Sequence, residues 1–228
     1  MDFRPLTQTI KYFTHILFPV TCPVCGCLGE TVCEECLGSL CFNRKIKCFE
    51  CGLDHPCVLH ENNAWVFYYA RHYGVARELL LSLKYLNQES LGRAMGECIG
   101  GALLRDNEKL VRSYGSGSVI LVPIPLHRGS KRRFNQSFAI AKGISRVLGF
   151  SVSETLHWSF DVNAQTERSG KERLNLAEDV FKADLKMAGR KVIIIDDVLT
   201  TGTTIKRALS ACKKAGAETS GAIVWAKP

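Results

Sequence analysis

The chain has 228 residues, 46% of them hydrophobic and 23% charged, with a formal net charge of +8. That length holds one mid-sized domain and a small module but not two full α/β domains, and the balance of residue types excludes a globally disordered chain. The cationic excess favours polyanions (nucleic acid, nucleotides, anionic membrane) without choosing among them, and a solvated basic surface explains it equally well.

At the N-terminal end, residues 6–18 place Ile10, Phe13, Ile16 and Leu17 at helical spacing, which predicts a short amphipathic helix ended by Pro19. Its polar face carries only Lys11 as a cation, so packing on the protein is expected rather than on a membrane surface. Residues 1–19 show no long apolar core followed by a small-residue cleavage site. The longest uncharged apolar run, residues 119–126, is too short to span a bilayer. A soluble protein without membrane insertion is expected.

Next comes a cysteine-rich stretch, residues 22–60, with nine of the chain's 11 cysteines. Four pairs each enclose two residues: Cys22/Cys25, Cys33/Cys36, Cys48/Cys51 and Cys57/His60. Cysteines so spaced bridge one another only with strain but present two thiolates to one metal well. Eight ligands make two closed tetrahedral sites, which is the pattern of structural zinc; an iron–sulfur cluster is the second reading. Consecutive pairing puts Cys22, Cys25, Cys33 and Cys36 on one ion and Cys48, Cys51, Cys57 and His60 on the other. Interleaved pairing, His55 in place of His60, or an empty second site remain open. Cys27 and Cys41 fit no pair. Free thiols arranged for metal imply a reducing compartment, hence the cytoplasm. The stretch is short of long aliphatic residues, so metal must supply folding free energy that burial cannot.

From residue 64 the composition changes, which places a domain boundary between residues 1–62 and 63–228. Residues 64–69 read as an aromatic strand. Residues 75–85 and 91–104 read as helices, with Leu79, Leu80 and Leu83 on one face of the first, and residues 111–118 as a polar break. A strand at 119–122, a helix at 135–148 closed by Gly149, a strand at 151–157, a polar stretch at 161–179, an apolar strand at 191–195, a helix at 203–214 and a strand at 221–225 follow. Such alternation predicts an α/β domain with a mostly parallel sheet covered on both faces.

Two segments of this domain carry chemistry. In residues 192–204, V-I-I-I-D-D-V-L-T-T-G-T-T, a buried strand ends in Asp196 and Asp197 and a small-residue loop opens a helix. Ligands of open α/β sheets bind beyond the strands' carboxyl ends. Free N–H groups at a helix start, with hydroxyls of Thr200, Thr201, Thr203 and Thr204, suit a phosphate that Gly202 lets approach closely. Carboxylates beside a phosphate repel it, so they make sense on sugar hydroxyls or on Mg²⁺ held through water; together these fit a ribose 5-phosphate. Upstream, V-P-I-P-L-H-R-G-S-K-R-R-F-N-Q-S (residues 122–137) puts Arg128, Lys131, Arg132 and Arg133 within six residues at another helix start, matched to pyrophosphate or nucleic acid.

The first segment resembles the PRPP-binding motif of type I phosphoribosyltransferases (PRPP being phosphoribosyl pyrophosphate). The second, with the leading helix, the cysteines and the Leu83-Lys84-Tyr85 segment, is similar to the ComF family, competence-associated phosphoribosyltransferase-like proteins with an N-terminal zinc ribbon. The resemblance implies that Asp196 and Asp197 contact the ribose 2- and 3-hydroxyls. It implies that Thr200, Thr201, Gly202, Thr203 and Thr204 hold the 5-phosphate, and that Arg128 and Lys131 assist the pyrophosphate of Mg²⁺-bound PRPP. It identifies residues 161–179, with Gln165, Arg173 and Asn175, as a mobile catalytic loop.

Two functions follow as expectations. In one, a phosphoribosyl group passes to an unidentified acceptor with release of pyrophosphate, in the setting of DNA uptake. In the other, the protein is a non-catalytic, PRPP-regulated single-stranded-DNA-binding member of the competence machinery, with protein partners there.

Overall fold

A computed structural model describes residues 20–60, 64–115, 118–127, 129–159 and 180–228. The predicted helix at 6–18, Arg128 and the stretch 161–179 lie outside the described residues.

The cysteine region contributes α1 (Glu34–Gly38) and β1 (Lys47–Cys48). The remainder runs β2 (Trp65–Arg71), α2 (Gly74–Tyr85), α3 (Glu89–Asp106), α4 (Glu108–Ser113), β3 (Val119–Pro123), α5 (Gln136–Leu148), β4 (Ser151–Val152) and β5 (Leu156–Trp158). It ends with β6 (Phe181–Ala183), β7 (Lys191–Val198), α6 (Thr203–Lys214) and β8 (Glu218–Lys227). The main sheet has the order β1-β2-β8-β7-β3-β4, and within it β1 alone is antiparallel to its neighbour; β5 and β6 form a separate antiparallel pair.

Apolar residues fill both sides of each central strand, and the two-residue period sorts them into two cores. Phe67, Tyr69, Leu121, Ile193, Ile195, Ile223 and Trp225 pack with Leu79, Leu80 and Leu83 of α2, Met95 and Ile99 of α3, and Ile140 and Ile144 of α5. Their alternates Val66, Tyr68, Ile120, Val122, Val192, Ile194 and Val224 pack with Ile205, Ala208, Leu209 and Cys212 of α6. Helices α3 and α5 touch through glycine: a Cβ at Gly96 would collide with the Ile140 carbonyl, and one at Gly143 with that of Arg93.

Several sequence expectations change. The polar break at 111–118 begins as helix, because α4 runs to Ser113, braced by an Arg112–Glu108 ion pair of 2.6 Å. The strand expected at 151–157 is two: β4 pairs with β3, and β5 leaves the main sheet for β6, which had not been anticipated. Strand β7 continues past Ile195 to Val198, since the backbone of Asp196 and Val198 stays in register with Val224 and Ala226 of β8. Strand β1 pairs Lys47 with Val66 and Cys48 with Trp65, so the cysteine region extends the edge of the sheet. Among the described residues no helix is long and apolar enough to cross a membrane.

Candidate functional site

Parallel strands deliver their following loops to one edge, and β3 and β7 are neighbours in register from Val119/Lys191 to Pro123/Ile195. The Ile124 N–H donates to the Ile195 carbonyl at 2.9 Å, which keeps the two chains together as they leave the sheet. Beyond them lies a cleft of about 250 Å³ lined by Lys84, residues 124–127, Ser130, Arg132, Asn135, Gln136, Ser137, Asp196 and Asp197.

The two carboxylates differ. Asp197 forms an ion pair with Lys84 at 2.8 Å, both side chains being largely shielded (16% and 18% exposed). Asp196 accepts hydrogen bonds from the Ser137 hydroxyl at 3.2 Å and from the Asp197 N–H at 2.8 Å. Desolvation, and after it the neighbouring Asp197 charge, pushes the Asp196 carboxyl up to about 7. These hydrogen bonds and Lys84 pull the other way without offsetting it.

The opposite wall is the start of α5. Asn135 caps the helix by accepting from the Phe138 N–H, and its amide donates to the Ile124 carbonyl at 2.9 Å, tying helix to strand end. Arg132 donates to Gln136 Oε1 at 3.2 Å, which fixes the orientation of that amide. Gln136 is 2% exposed, and its Nε2 is a buried donor without a hydrogen-bond partner. A buried orphan donor costs about 1–3 kcal/mol. The Gln136 residue itself lines the cleft at a helix N-terminus, beside Arg132, a setting that favours an anion. Lys131 is exposed and does not line the cleft; Arg132 does. Gln136 is a participant that sequence reasoning did not assign, and Lys84, which the sequence left between reaching the site and ending a helix, lines the cleft. Their signal was the Leu-Lys-Tyr segment and the Asn-Gln-Ser start of a helix.

At the end of β7, Gly202 adopts a left-handed φ of 78° and opens α6, whose first recorded helical bond runs from the Lys206 N–H to the Gly202 carbonyl. The N–H groups ahead of it face out of the helix end. Thr200, Thr201, Thr203 and Thr204 are exposed around them, Thr201 and Thr203 joined through their hydroxyls at 3.0 Å. Thr200, Thr201 and Gly202 line a second cavity, of about 270 Å³, whose other wall is residues 48–52 of the cysteine region.

The cysteines converge on two centres. Cys48, Cys51, Cys57 and His60 bring their ligand atoms within 4.8 Å of one another. The Cys51–Cys57 sulfurs are 3.6 Å apart, and His60 Nδ1 is 3.8 and 3.7 Å from the sulfurs of Cys48 and Cys57. A tetrahedral zinc with bonds of about 2.3 Å to sulfur separates its ligands by about 3.8 Å, so this set fits the ion. The converging group is consecutive in the sequence and includes His60, not His55. At the other centre the converging group is Cys22, Cys25, Cys27 and Cys33, with Cys25 and Cys33 sulfurs 3.5 Å apart. Cys27, which the sequence left unpaired, is brought back by a left-handed turn at Gly26 and by the Cys22 N–H donating to its carbonyl at 2.9 Å. Cys36, the expected fourth ligand, is next to that group, its N–H donating to the Cys33 sulfur at 3.4 Å. Its thiol still touches those of Cys33, Cys25 and Cys22. Burial opposes ionisation of Cys22, but backbone N–H groups of Cys25, Cys33 and Val24 outweigh it and lower its thiol to about 6, favouring the thiolate a metal needs.

Residues 135–228 match the phosphoribosyl transferase domain family. The chain is 23% identical over 198 residues to the competence protein ComFC of Streptococcus pneumoniae, an alignment covering 84% of this chain and 78% of that one. It is 31% identical over 102 residues to the DNA utilization protein YhgH of Escherichia coli O157:H7, covering 44% of this chain and 45% of the relative. Among solved structures, an allosteric regulatory enzyme of purine biosynthesis aligns at 17% identity over 58% of this chain and 26% of its own, with a TM-score of 0.40, too low to add to the argument. With its parallel sheet, its cleft beyond β3 and β7 and its paired cysteine centres, the chain is similar to the ComF family of phosphoribosyltransferase-like proteins.

Proposed function

We propose that the cleft binds Mg²⁺-bound PRPP and serves phosphoribosyl transfer, in a protein that acts in DNA uptake or utilisation. The observation that carries this reading is the pairing of Gln136 with the acidic pair across one cleft. A buried, partnerless amide donor at the start of α5 awaits an anion, while Asp196 and Asp197 on the facing strand suit hydroxyls or a hydrated cation.

In this reading Gln136, Arg132 and Ser130 hold the pyrophosphate, the exposed N–H groups and threonine hydroxyls at the start of α6 hold the 5-phosphate, and Asp196 and Asp197 hold the ribose. Arg128 belongs to the same basic run. Lys84 orients Asp197 and screens the repulsion that the two carboxylates would exert on a polyanion. Mg²⁺, when bound, adds charge stabilisation to the departing pyrophosphate. As the C1–oxygen bond of the ribose breaks, positive charge grows on the sugar and negative charge on the leaving group; the acids and the donors stand where each is needed. Structural zinc at the two cysteine centres holds residues 20–60 against the sheet.

The similarity to a competence protein and to DNA utilization proteins supports the setting. The net charge and the exposed Lys131 and Arg133 beside the cleft support an anionic polymer, single-stranded DNA, as a further partner. Calorimetric titration with Mg²⁺ and PRPP tests the core of the proposal. The wild type is expected to bind, and the Asp196→Asn/Asp197→Asn double variant to bind at least about tenfold more weakly, with both carboxylates neutralised. Equal affinity in the two proteins would remove the acidic pair from the site.

A further inference from the structure

The second cysteine centre is built into the support of the phosphate loop. The turn between Cys48 and Cys51 is closed by hydrogen bonds from the Gly52 N–H to the Cys48 carbonyl (2.9 Å) and from the Cys48 N–H to the Leu53 carbonyl (2.7 Å). It is fastened to the sheet through β1 and by the Phe49 N–H donating to the Ala64 carbonyl at 3.0 Å. The turn carries Phe49 onto the loop after β7: a Cβ placed at Gly202 would lie 2.9 Å from Phe49 Cζ and 3.4 Å from Leu199 Cδ1. Next to it, Glu50 pairs with Lys206 of α6 at 2.8 Å, and the Lys206 ammonium stands 5.8 Å from the centre of the Phe49 ring. The Glu50–Lys206 pair is exposed and contributes little. The ring is half-buried against the α6 core and is the substantial contact. Phe49 lines the cavity behind Thr200, Thr201 and Gly202, which shares no lining residue with the cleft of the acidic pair.

We propose that Phe49 is a positioning residue for the phosphate loop, and that metal bound by Cys48, Cys51, Cys57 and His60 sets the affinity for a sugar 5-phosphate by holding that ring against Gly202. The proposal rests on the phosphoribosyl reading of the cleft. Phe49 lies between two of the proposed ligands, so the metal fixes the turn that aims it. The loop's N–H groups converge on a phosphate only while Gly202 keeps its left-handed conformation, and the ring closes the space into which the loop would otherwise relax.

The test uses the full chain with Mg²⁺ and two probes, ribose 5-phosphate and inorganic pyrophosphate, titrated into wild type, Phe49→Ala and Phe49→Tyr. Metal content is read by atomic emission, and amide exchange is followed over residues 199–204. Phe49→Ala is expected to keep its metal, to bind ribose 5-phosphate about tenfold more weakly and to bind pyrophosphate within about twofold of wild type, with Phe49→Tyr restoring the loss. Exchange over residues 199–204 should quicken in Phe49→Ala and after chelation of the wild type. Phe49→Leu, a smaller loss of volume, takes the place of Phe49→Ala if the latter does not fold. Unchanged ribose 5-phosphate affinity, or an equal loss for both probes, overturns the proposal. If the wild type binds neither probe, the phosphoribosyl reading fails, and the exchange data alone decide whether Phe49 supports the loop; unchanged exchange overturns that too.

Discussion

The sheet and the cysteine region are held by different physics. In the sheet, two continuous cores bury aromatic and branched side chains on both faces of the central strands. In residues 20–60 the buried side chains are Cys22, Cys33, Cys36, Cys48 and Cys57 with Leu40 and Ile46, while Leu28, Leu53, Val58 and Leu59 stand in solvent. The first region folds because it hides apolar surface; the second hides chiefly cysteines and leaves several of its aliphatic residues outside. Two folding devices in one chain should therefore fail separately, and they meet along β1, β2 and Phe49.

The most severe way to test this separation is to remove metal. A structural zinc contributes roughly 10–16 kcal/mol in small finger peptides, far more than the few buried residues of this region can replace. Chelation, or Cys48→Ser with Cys57→Ser, is expected to open residues 20–60 to proteolysis, with cuts mapped by mass spectrometry. The helical signal from residues 64–228 should persist. A single cooperative loss of both regions would mean that the edge pairing of β1 with β2 matters more than either core.

The reverse experiment strikes the sheet domain and spares the metal. Gly143 on α5 faces the backbone of α3 at Arg93, and Gly96 faces α5 at Ile140. Gly143→Ala forces these helices apart. It should cost at least about 1–3 kcal/mol, the range for overpacking a well-filled core, read as a lower urea midpoint. Metal content by atomic emission should stay at the wild-type level. Loss of metal in Gly143→Ala would show that the cysteine region leans on the α2–α3–α5 layer.

The same division explains what could be read from the sequence. Strands such as Lys191–Val198 and helices such as Gln136–Leu148 announce themselves by unbroken apolar runs, amphipathic period and an Asn/Gly pair of caps, because burial and backbone conformation are local demands. The acidic pair and the threonine loop were legible for the same reason: chemistry at a strand end is contiguous in sequence. What escaped is set by contacts distant in the chain. Lys84 could be read from the sequence as reaching the site or as ending its helix, and only the packing of α2, which brings it to Asp197, decides between the two. Cys27 comes near Cys22, Cys25 and Cys33 where Gly26 turns left-handed, a proximity that counting C-x-x-C spacings does not show. Strands β1 and β6 are two and three residues long, too short for a period of two to appear.

The finest test of the comparison is pH, where the two regions should respond in opposite directions. The Asp196 carboxyl is raised to about 7 in the folded protein, against 3.8 for an ordinary aspartate, by desolvation and then by Asp197. Between those values the folded state holds a proton that the unfolded chain has lost. The resulting stabilisation is complete below the unfolded value and disappears as pH rises through the folded one. Metal centres behave the other way, since thiols and the histidine must lose protons to bind, and acid releases the ion. Raising pH from 5 to 8 should therefore lower the melting temperature of the sheet domain while tightening metal retention by residues 20–60. Asp196→Asn keeps the shape and removes the charge, so calorimetry should find its melting temperature above that of wild type at pH 8, with the gap narrowing toward pH 5. A gap that stays constant with pH would mean that Asp196 is ionised throughout and that its partners in the cleft, Ser137 and Lys84, hold the charge better than their geometry indicates.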